Sequence, residues 1–361
     1  MNELAHLNSG GSSRGNSSGN NSSGNSSGHK VALVLGSGGA RGYAHIGVIE
    51  ALEARGFEIV AVSGCSMGAV IGGIYAAGKL PEYRDWVCQL DYLDVLKLVD
   101  VTWSPMGAMR ASKVMSKLET LVGDILIEDL AIPVTTVATD LVRQREVWFQ
   151  SGPLLQAIRA SMAVPGVITP VHLGGQVLVD GGLLNPLPIM PMVAAHQADF
   201  VVAVNVTAHS PLPVTLEELL PEEEDAVDSR TQNEIDRDQR MGSWIGDVRA
   251  ATQKLWAGFG ANGDGTNVEG DDEELEETIE ARGKREWSKL DMILESFDIT
   301  QAALAKYKIA GYPPDVLIEI PKTVCSTYEF YRGRDLIRLG RHLADEALER
   351  RMPGIASDAT E

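Results

Sequence analysis

The chain has 361 residues, 44% of them hydrophobic, and a formal net charge of −19 at pH 7. This length and composition are normal for a globular protein of one large or two modest domains with a sizeable core. The negative charge disfavours a nucleic-acid-binding protein, because a phosphate backbone attracts basic surfaces.

The net charge belongs to one segment of the chain. Residues 217–238 hold ten acidic and two basic side chains, and residues 264–280 hold nine acidic and no basic ones. Together these windows contribute −17, which leaves only −2 for the rest. The sequence therefore predicts an acidic, partly disordered insertion at 211–285. Within it, residues 241–260 place apolar side chains on one helical stripe, as in a helix packed on the domain or in a lid.

The cysteines and the first residues indicate the compartment. Cys65, Cys88 and Cys325 are widely spaced and odd in number, which is typical of neither a disulfide framework nor a metal site. The N-terminus has no basic region followed by an apolar one, so no secretory signal is predicted. We therefore expect a cytoplasmic protein.

From the N-terminus, the chain begins with a tail and then alternates strands with helices. Residues 8–28 are Asn, Ser or Gly at every position except Arg14, so 1–28 is predicted to be a disordered tail. Apolar runs predict strands at 30–36, 57–64, 132–142, 146–150, 198–206 and 314–320, and a hairpin with a Gly-Gly turn at 171–182. Helical spacing predicts helices at 40–56, from the second strand to about Gly78, at 153–164 and at 328–350.

This alternation determines the expected fold class. Buried strands that alternate with helices predict an α/β protein whose mostly parallel sheet is covered on both faces. We expect a single domain built from residues 29–210 and 286–350, interrupted by the acidic insertion and followed by a tail at 351–361.

The stretch "LGSGGARG" (35–42) lies between a predicted strand and a predicted helix. Glycines let the backbone approach a ligand there, and free N–H groups at a helix start attract negative charge. A dinucleotide-binding fold uses a similar turn but needs an acidic residue at the end of the second strand. That strand ends in "SGCSMG" instead, which disfavours a nicotinamide or flavin cofactor.

Residues 59–78 carry no charged side chain and are long enough to span a bilayer. Their centre is a G-x-S-x-G pattern formed by Gly64, Ser66 and Gly68. A serine at a tight turn between strand and helix is exposed at the sheet edge, and the flanking glycines avoid steric collision. The helix N-terminus that follows favours negative charge near Ser66. We interpret the stretch as strand, turn and helix around a nucleophilic serine rather than as a membrane span.

A nucleophilic serine needs a base, and a triad is one arrangement. The order serine, acid, histidine allows Ser66, Asp180 and either His196 or His209. His209 is the better of the two histidines because it follows a predicted strand, but neither has a local signature.

Asp180 does have a local signature. In "VLVDGG" it directly follows a predicted strand, and Gly181 and Gly182 permit a tight turn after it. This places a carboxylate at a sheet edge with room around it, as either an ordinary turn residue or a base.

Together, "LVLGSGGARGYAHIGVIEALEARG", "GCSMG" and "DGG" resemble the patatin-like phospholipases, specifically the bacterial branch related to neuropathy target esterase. The resemblance extends through "ASMAVPGVITPV" (160–171) and covers roughly residues 30–210 and 286–350. One departure is Ser37, where the family usually has a glycine. The resemblance implies a three-layer α/β/α catalytic domain.

The resemblance also implies roles for individual residues. Ser66 would be the nucleophile and Asp180 the general base of a Ser–Asp dyad. The backbone N–H groups of Gly38, Gly39 and Arg41 would form the oxyanion hole, and the Arg41 side chain would face a phosphoester head group or pair with a carboxylate. The supporting motif glycines are Gly36, Gly42, Gly64, Gly68, Gly181 and Gly182.

The sequence therefore predicts a serine acyl hydrolase that cleaves lipid esters of the phospholipid or lysophospholipid type without metal or cofactor. We expect a lipid ester as its partner, no nucleic acid, and peripheral contact at the inner face of the membrane. A Ser–His–Asp esterase and a non-catalytic lipid-binding or regulatory protein on the same fold remain the alternatives. Head-group, acyl-position and chain-length preference depend on pocket shape, which the sequence does not specify.

Overall fold

The computed structural model describes residues 28–104, 107–193, 198–210, 214–220 and 289–352. The predictions for the N-terminal tail, for most of the acidic insertion with its helix at 241–260, for His196 and for the C-terminal tail after residue 352 lie outside these ranges.

Strands and helices alternate through the described chain. The strands are β1 (Lys30–Leu35), β2 (Glu58–Cys65), β3 (Val101–Ser104), β4 (Gly107–Met109), β5 (Val134–Asp140), β6 (Arg145–Phe149), β7 (Gly166–Ile168), β8 (Val171–Leu173), β9 (Gln176–Asp180), β10 (Phe200–Ala208) and β11 (Val316–Pro321). The α-helices are α1 (Ala44–Ala54), α2 (Met67–Ala76), α3 (Leu80–Val87), α4 (Tyr92–Leu98), α5 (Ser112–Val122), α6 (Leu154–Ser161), α7 (Met190–Val193), α8 (Leu216–Leu219), α9 (Lys289–Gly311) and α10 (Gly333–Arg351). Short 3₁₀ helices span Gly39–Tyr43, Ile127–Asp129, Gly181–Leu183 and Phe330–Arg332.

The main sheet has the strand order β11-β10-β1-β2-β5-β9-β8, and β6 also pairs with β5. The strands β11, β10, β1, β2 and β5 run parallel to one another, whereas β6 and β9 run antiparallel to β5. The mostly parallel sheet of an α/β fold is therefore confirmed. So is the hairpin: β8 and β9 are antiparallel, and Gly174 and Gly175 make the turn with φ of 52° and 74°.

Both faces of the sheet are buried, as a three-layer arrangement requires. Along β1, Val31, Leu33 and Leu35 pack into the larger core cluster, which contains α1, α2 and α10. The alternate residues Ala32 and Val34 pack into a second cluster with side chains of α7 and α9. Because successive side chains of a strand point to opposite faces, this division places one helical layer on each side.

Two regions differ from the sequence-based expectation. The helix predicted over 40–56 begins as a 3₁₀ turn at Gly39–Tyr43, and α1 proper starts at Ala44. The glycine-rich loop includes Gly42, the fourth residue of this 3₁₀ turn. An added Cβ at Gly42 would lie 2.2 Å from Cγ of Met67, so the 3₁₀ turn packs closely against the start of α2. In addition, β3, β4 and β7 form a separate small sheet that no sequence pattern predicted.

Residues 59–78 form the rest of β2, the turn at Ser66, and α2. Within the described ranges, no helix combines the length and the apolar character needed to cross a bilayer.

Candidate active site

Ser66 occupies the turn between β2 and α2 in a strained backbone conformation. Its φ is 54° and its ψ is −119°, a region that a residue with a side chain seldom adopts. The flanking glycines make the turn feasible: an added Cβ at Gly64 would lie 2.3 Å from the carbonyl oxygen of Gly68, and one at Gly68 would lie 2.1 Å from that of Leu35. This strand–turn–helix is the geometry of a nucleophile elbow.

The sheet brings Ser66 and Asp180 together through their common neighbour, β5. Strand β2 runs parallel to β5 and ends with Cys65 paired to Val137. Strand β9 runs antiparallel to β5 and ends with Asp180 paired to the next residue, Ala138. The ends of β2 and β9 therefore meet head to head along one edge of β5. The Sγ of Cys65 lies 3.8 Å from Oδ1 of Asp180.

The Asp180 carboxyl is fully buried and accepts a hydrogen bond from the turn that follows it. The N–H of Gly182 donates to Oδ1 at 2.7 Å, and the glycine at 181 is needed because an added Cβ would lie 2.3 Å from the carbonyl oxygen of Val137. Burial raises the pKa of Asp180 to about 6, against the opposing hydrogen bonds from Ser66, Gly182 and Cys65. A carboxyl with this pKa is ionised at neutral pH but takes up a proton readily, as a general base must.

The second carboxylate oxygen of Asp180, Oδ2, is buried and free to accept a further hydrogen bond. Among the described residues, Oδ2 has no hydrogen bond of good geometry, although the Ser66 hydroxyl is near enough to lower the pKa of the carboxyl.

The glycine-rich loop lies against the first turn of α2. Three of its N–H groups are occupied by backbone carbonyls: Gly36 donates to Val204 at 3.0 Å, Ser37 to Pro186 at 2.8 Å and Ala40 to Thr327 at 2.9 Å. The first N–H groups of the 3₁₀ helix lack intrahelical partners, so those of Gly38 and Gly39 are candidates for binding an oxyanion, whereas the N–H of Arg41 is a candidate through the family resemblance alone. Ser37 is not among the described residues with positive φ, so its side chain causes no backbone strain there.

The Arg41 side chain binds the protein itself rather than facing a ligand site. It is 2% exposed. Its Nε donates to the Gly38 carbonyl at 3.2 Å, its Nη1 to the Lys322 carbonyl at 2.8 Å, and its Nη2 to Asp298 at 3.3 Å and Thr327 at 3.1 Å. Of the two roles the sequence left open, the structure therefore shows pairing with a carboxylate. Arg41 ties the glycine-rich loop to α9 and to the segment after β11.

We expect Arg41→Lys to lower the free energy of unfolding by about 1–3 kcal/mol, because a single ammonium cannot reproduce this fork of donors and leaves buried acceptors unpaired. Equilibrium urea unfolding would measure the loss. Arg55→Lys is the matched control, since Arg55 pairs with the more exposed carboxylates of Asp345 and Glu349 and should lose less than about 1 kcal/mol. Equal losses in the two variants would contradict the anchoring role of Arg41.

His45 supports the same loop from α1. It is fully buried, and its Nε2 lies 2.8 Å from the carbonyl oxygen of Gly36. Burial lowers the pKa of His45 to about 4, outweighing the hydrogen bond to Gly36, so the ring is neutral at pH 7. The neutral ring then carries its proton on Nε2 and donates it to Gly36.

Among the described residues, the structure shows no contact that would make His209 the base of Ser66. His209 is exposed after the end of β10, and no hydrogen bond joins it to Ser66 or Asp180. His196, the other histidine of the proposed triad, lies outside the described residues.

Sequence reasoning missed three polar residues around this site. Ser161 at the end of α6 accepts the backbone N–H of Ser66 at 2.8 Å. Asp298 on α9 holds Arg41, and Gln301, one turn further along α9, fills the space that a side chain at Gly182 would take. Gln301 is 2% exposed, and its Oε1 has no partner within the described chain. Of the three, only Ser161 could have been noticed in the sequence, because it lies in "ASMAVPG", a stretch that carries the family resemblance.

A family profile and several known proteins match much of this chain. The profile of a family described as patatin-like phospholipase matches residues 33–193. Neuropathy target esterase of Drosophila melanogaster is 32% identical over 198 residues, which make up 52% of this chain but 14% of that longer protein. The crystal structure of VipD from Legionella pneumophila aligns with 90% of this chain and 67% of VipD, at 14% identity and a TM-score of 0.41.

An uncharacterized NTE family protein of Mycobacterium bovis is 41% identical over 339 residues. The alignment covers 89% of this chain and 91% of the relative, and a protein of Mycobacterium tuberculosis matches equally well. Because the identity extends over nearly the whole of both chains, this protein belongs to the NTE family of patatin-like phospholipases.

Proposed function

We propose that the protein is a serine acyl hydrolase that cleaves carboxylic esters of phospholipids or lysophospholipids through a Ser66–Asp180 dyad and an acyl-enzyme. The observation that carries the proposal is the head-to-head meeting of β2 and β9 at consecutive residues of β5, Val137 and Ala138. It puts a strained serine beside a buried carboxyl whose pKa is about 6. The phospholipase and esterase named among the relatives support lipid esters as the substrate class.

In the first half-reaction, Oγ of Ser66 attacks the ester carbonyl carbon and its proton passes to Asp180. Oδ2 is the acceptor suited to this step, since Oδ1 already accepts from the Gly182 N–H. The tetrahedral intermediate then collapses: the ester C–O bond breaks, and the protonated Asp180 returns the proton to the leaving alcohol. The acyl group stays on Ser66.

The developing negative oxygen needs donors that are already in place. The N–H groups of Gly38, Gly39 and Arg41 serve this role in the proposal, because the loop that carries them lies against the turn of Ser66. One such donor typically contributes about 3–4 kcal/mol to transition-state stabilisation. The anchoring of Arg41 by Asp298 and Thr327 prevents the loop from relaxing away from the intermediate.

In the second half-reaction, a water molecule gives a proton to Asp180 and attacks the acyl carbon. Collapse of this intermediate breaks the bond to Oγ of Ser66, which regains a proton from Asp180, and the fatty acid leaves. The same carboxyl therefore acts as base and then acid in both halves, and its pKa near neutrality suits both tasks.

A lipid substrate also calls for contact with a lipid surface, and we propose that this contact is peripheral, on the cytoplasmic side. Helix α9, whose Asp298 holds the glycine-rich loop, exposes Met292 and Ile299 to solvent. These apolar side chains on an element of the site are suited to an interfacial position.

The proposed function can be tested by labelling purified protein with a fluorophosphonate and mapping the modified residue by mass spectrometry. We expect Ser66 to be labelled, Asp180→Asn to lose labelling, and the matched variant His209→Ala to keep it. Loss in His209→Ala would instead favour the triad esterase. No labelling of any serine in well-folded wild-type protein would refute the hydrolase and leave a binding protein on this fold.

A further inference from the structure

We propose that Ser161 is a positioning residue for the nucleophile: its hydroxyl is inserted into the backbone ladder between β2 and β5 and turns Ser66 out of the strand. The inference rests on the proposed function of Ser66. It concerns a residue that touches only the backbone of the nucleophile, so it acts through Ser66 and not on the substrate.

The register of the two strands shows where the ladder is interrupted. In the parallel pair of β2 and β5, the N–H of Val62 donates to the carbonyl of Pro133 at 3.0 Å. Equivalent bonds recur every second residue along a parallel pair, so the same register directs the N–H of Ser66 to the carbonyl of Val137. That direct bond is replaced by two others through Ser161.

The Ser161 hydroxyl satisfies both backbone groups at once. Its Oγ accepts the N–H of Ser66 at 2.8 Å and donates to the carbonyl oxygen of Val137 at 2.6 Å. A hydroxyl has both a donor and acceptor sites, so a single oxygen can bridge an N–H and a C=O. The bridge separates β2 from β5 by one extra atom at this position, which lets Ser66 leave the extended conformation and adopt φ of 54°.

The same short segment also holds the base. The N–H of Asp180 donates to the carbonyl oxygen of Ala163 at 2.9 Å. The end of α6 and the two residues after it therefore contact both strand ends, with Ser161 bonded to the backbone of the nucleophile and Ala163 to the backbone of the base. One short segment thus links the two strand ends that meet head to head.

An ordinary core serine that satisfies only its own hydroxyl is the alternative to a positioning role. Ser63 is such a residue: like Ser161 it is 0% exposed, and its hydroxyl donates to the Pro188 carbonyl at 2.7 Å. Ser63 and Ser161 differ in that only Ser161 also accepts the N–H of the nucleophile. Ser63→Ala is therefore a matched control for Ser161→Ala.

The experiment measures the second-order rate constant for fluorophosphonate labelling of Ser66 in wild type, Ser161→Ala, Ser161→Thr and Ser63→Ala, with thermal unfolding of each. We expect Ser161→Ala to react roughly 10- to 100-fold more slowly, because small displacements of a reacting group have effects of this size. Ser63→Ala should react at close to the wild-type rate, even if it loses as much thermal stability as Ser161→Ala does. Ser161→Thr keeps the hydroxyl and should recover most of the rate.

The time course of labelling gives the rate constant of the folded protein, and its amplitude gives the amount of folded protein. Partial misfolding of a variant therefore lowers the amplitude but does not change the rate constant. Wild-type rates in folded Ser161→Ala would overturn the proposal, as would equal slowing in Ser63→Ala and Ser161→Ala. Should Ser161→Ala yield no folded protein, Ser161→Cys provides the same comparison, because its thiol fills the buried site but is only a weak donor and acceptor. Failure of the proposed function looks different, since wild-type Ser66 would then not be labelled at all.

Discussion

Asp180→Asn is expected to lower kcat/KM for ester hydrolysis by roughly 10²- to 10⁴-fold, the usual contribution of a positioned general base. The asparagine keeps the shape of the side chain and the hydrogen bond from the Gly182 N–H, but it cannot accept a proton from Ser66. A short-chain soluble ester and a lysophospholipid would both serve as substrates for the measurement. Near-wild-type turnover with either one would contradict the assignment of Asp180 as base.

The same substitution should stabilise the folded protein at neutral pH. The folded-state pKa of Asp180 lies near 6 because burial disfavours its charge, above the ordinary value of 3.8. Between these values the folded state binds more protons than the unfolded state, so stability falls as pH rises from about 4 to 6. Above pH 6 the charge costs on the order of 3 kcal/mol, which the asparagine removes.

Urea unfolding at pH 4 and pH 7.5 would test this explanation. Asp180→Asn should have a higher free energy of unfolding than wild type at pH 7.5 only. Asp140→Asn, on the neighbouring strand β5, is the matched control with the opposite sign. Burial acts to raise the pKa of Asp140, but hydrogen bonds from Arg143 and Gln176 outweigh it and lower the pKa to about 2. Its asparagine variant should lose stability at pH 7.5, and parallel behaviour of the two variants would refute the explanation.

Gly68→Ala is expected to disrupt both stability and activity more than any other single methyl addition at the elbow. An added Cβ would lie 2.1 Å from the carbonyl oxygen and 2.6 Å from the carbonyl carbon of Leu35, and 2.8 Å from the carbonyl oxygen of Gly36. All three atoms are backbone, so relief requires α2 to move away from β1 and the glycine-rich loop. We expect a loss of about 3 kcal/mol or more in unfolding free energy, at the upper end for overpacking, together with at least a tenfold slower labelling of Ser66.

Gly311→Ala is the matched control for this methyl addition. Gly311 is also helical, as the last residue of α9, and an added Cβ there would meet no atom within 4 Å. Its substitution should change the unfolding free energy by less than about 0.5 kcal/mol. A folded, fully reactive Gly68→Ala protein would show that the elbow does not depend on contact between α2 and β1.

The sequence by itself determined the fold class, most of the strands and the identity of the motif residues. The strands were readable because a sheet buried on both faces needs continuous apolar runs, as at β1 and β10. The elbow was readable because a tight turn before a helix needs glycines on both sides of Ser66. The roles of Gly38, Gly39 and Arg41 as oxyanion donors, and of Ser66 and Asp180 as a dyad, came from the family resemblance and stay predictions; the labelling experiment tests the dyad.

The tertiary structure alone decided how the distant residues meet. No local pattern shows that β2 and β9 end at consecutive positions of β5, because pairing between strands 115 residues apart depends on the packing of the whole sheet. The partners of Arg41 likewise come from α9 and from the segment after β11, and the bridge through Ser161 depends on the register of two strands and the end of a helix. These contacts are made by ordinary polar residues, which have the same local sequence signal whether they lie on the surface or support a nucleophile.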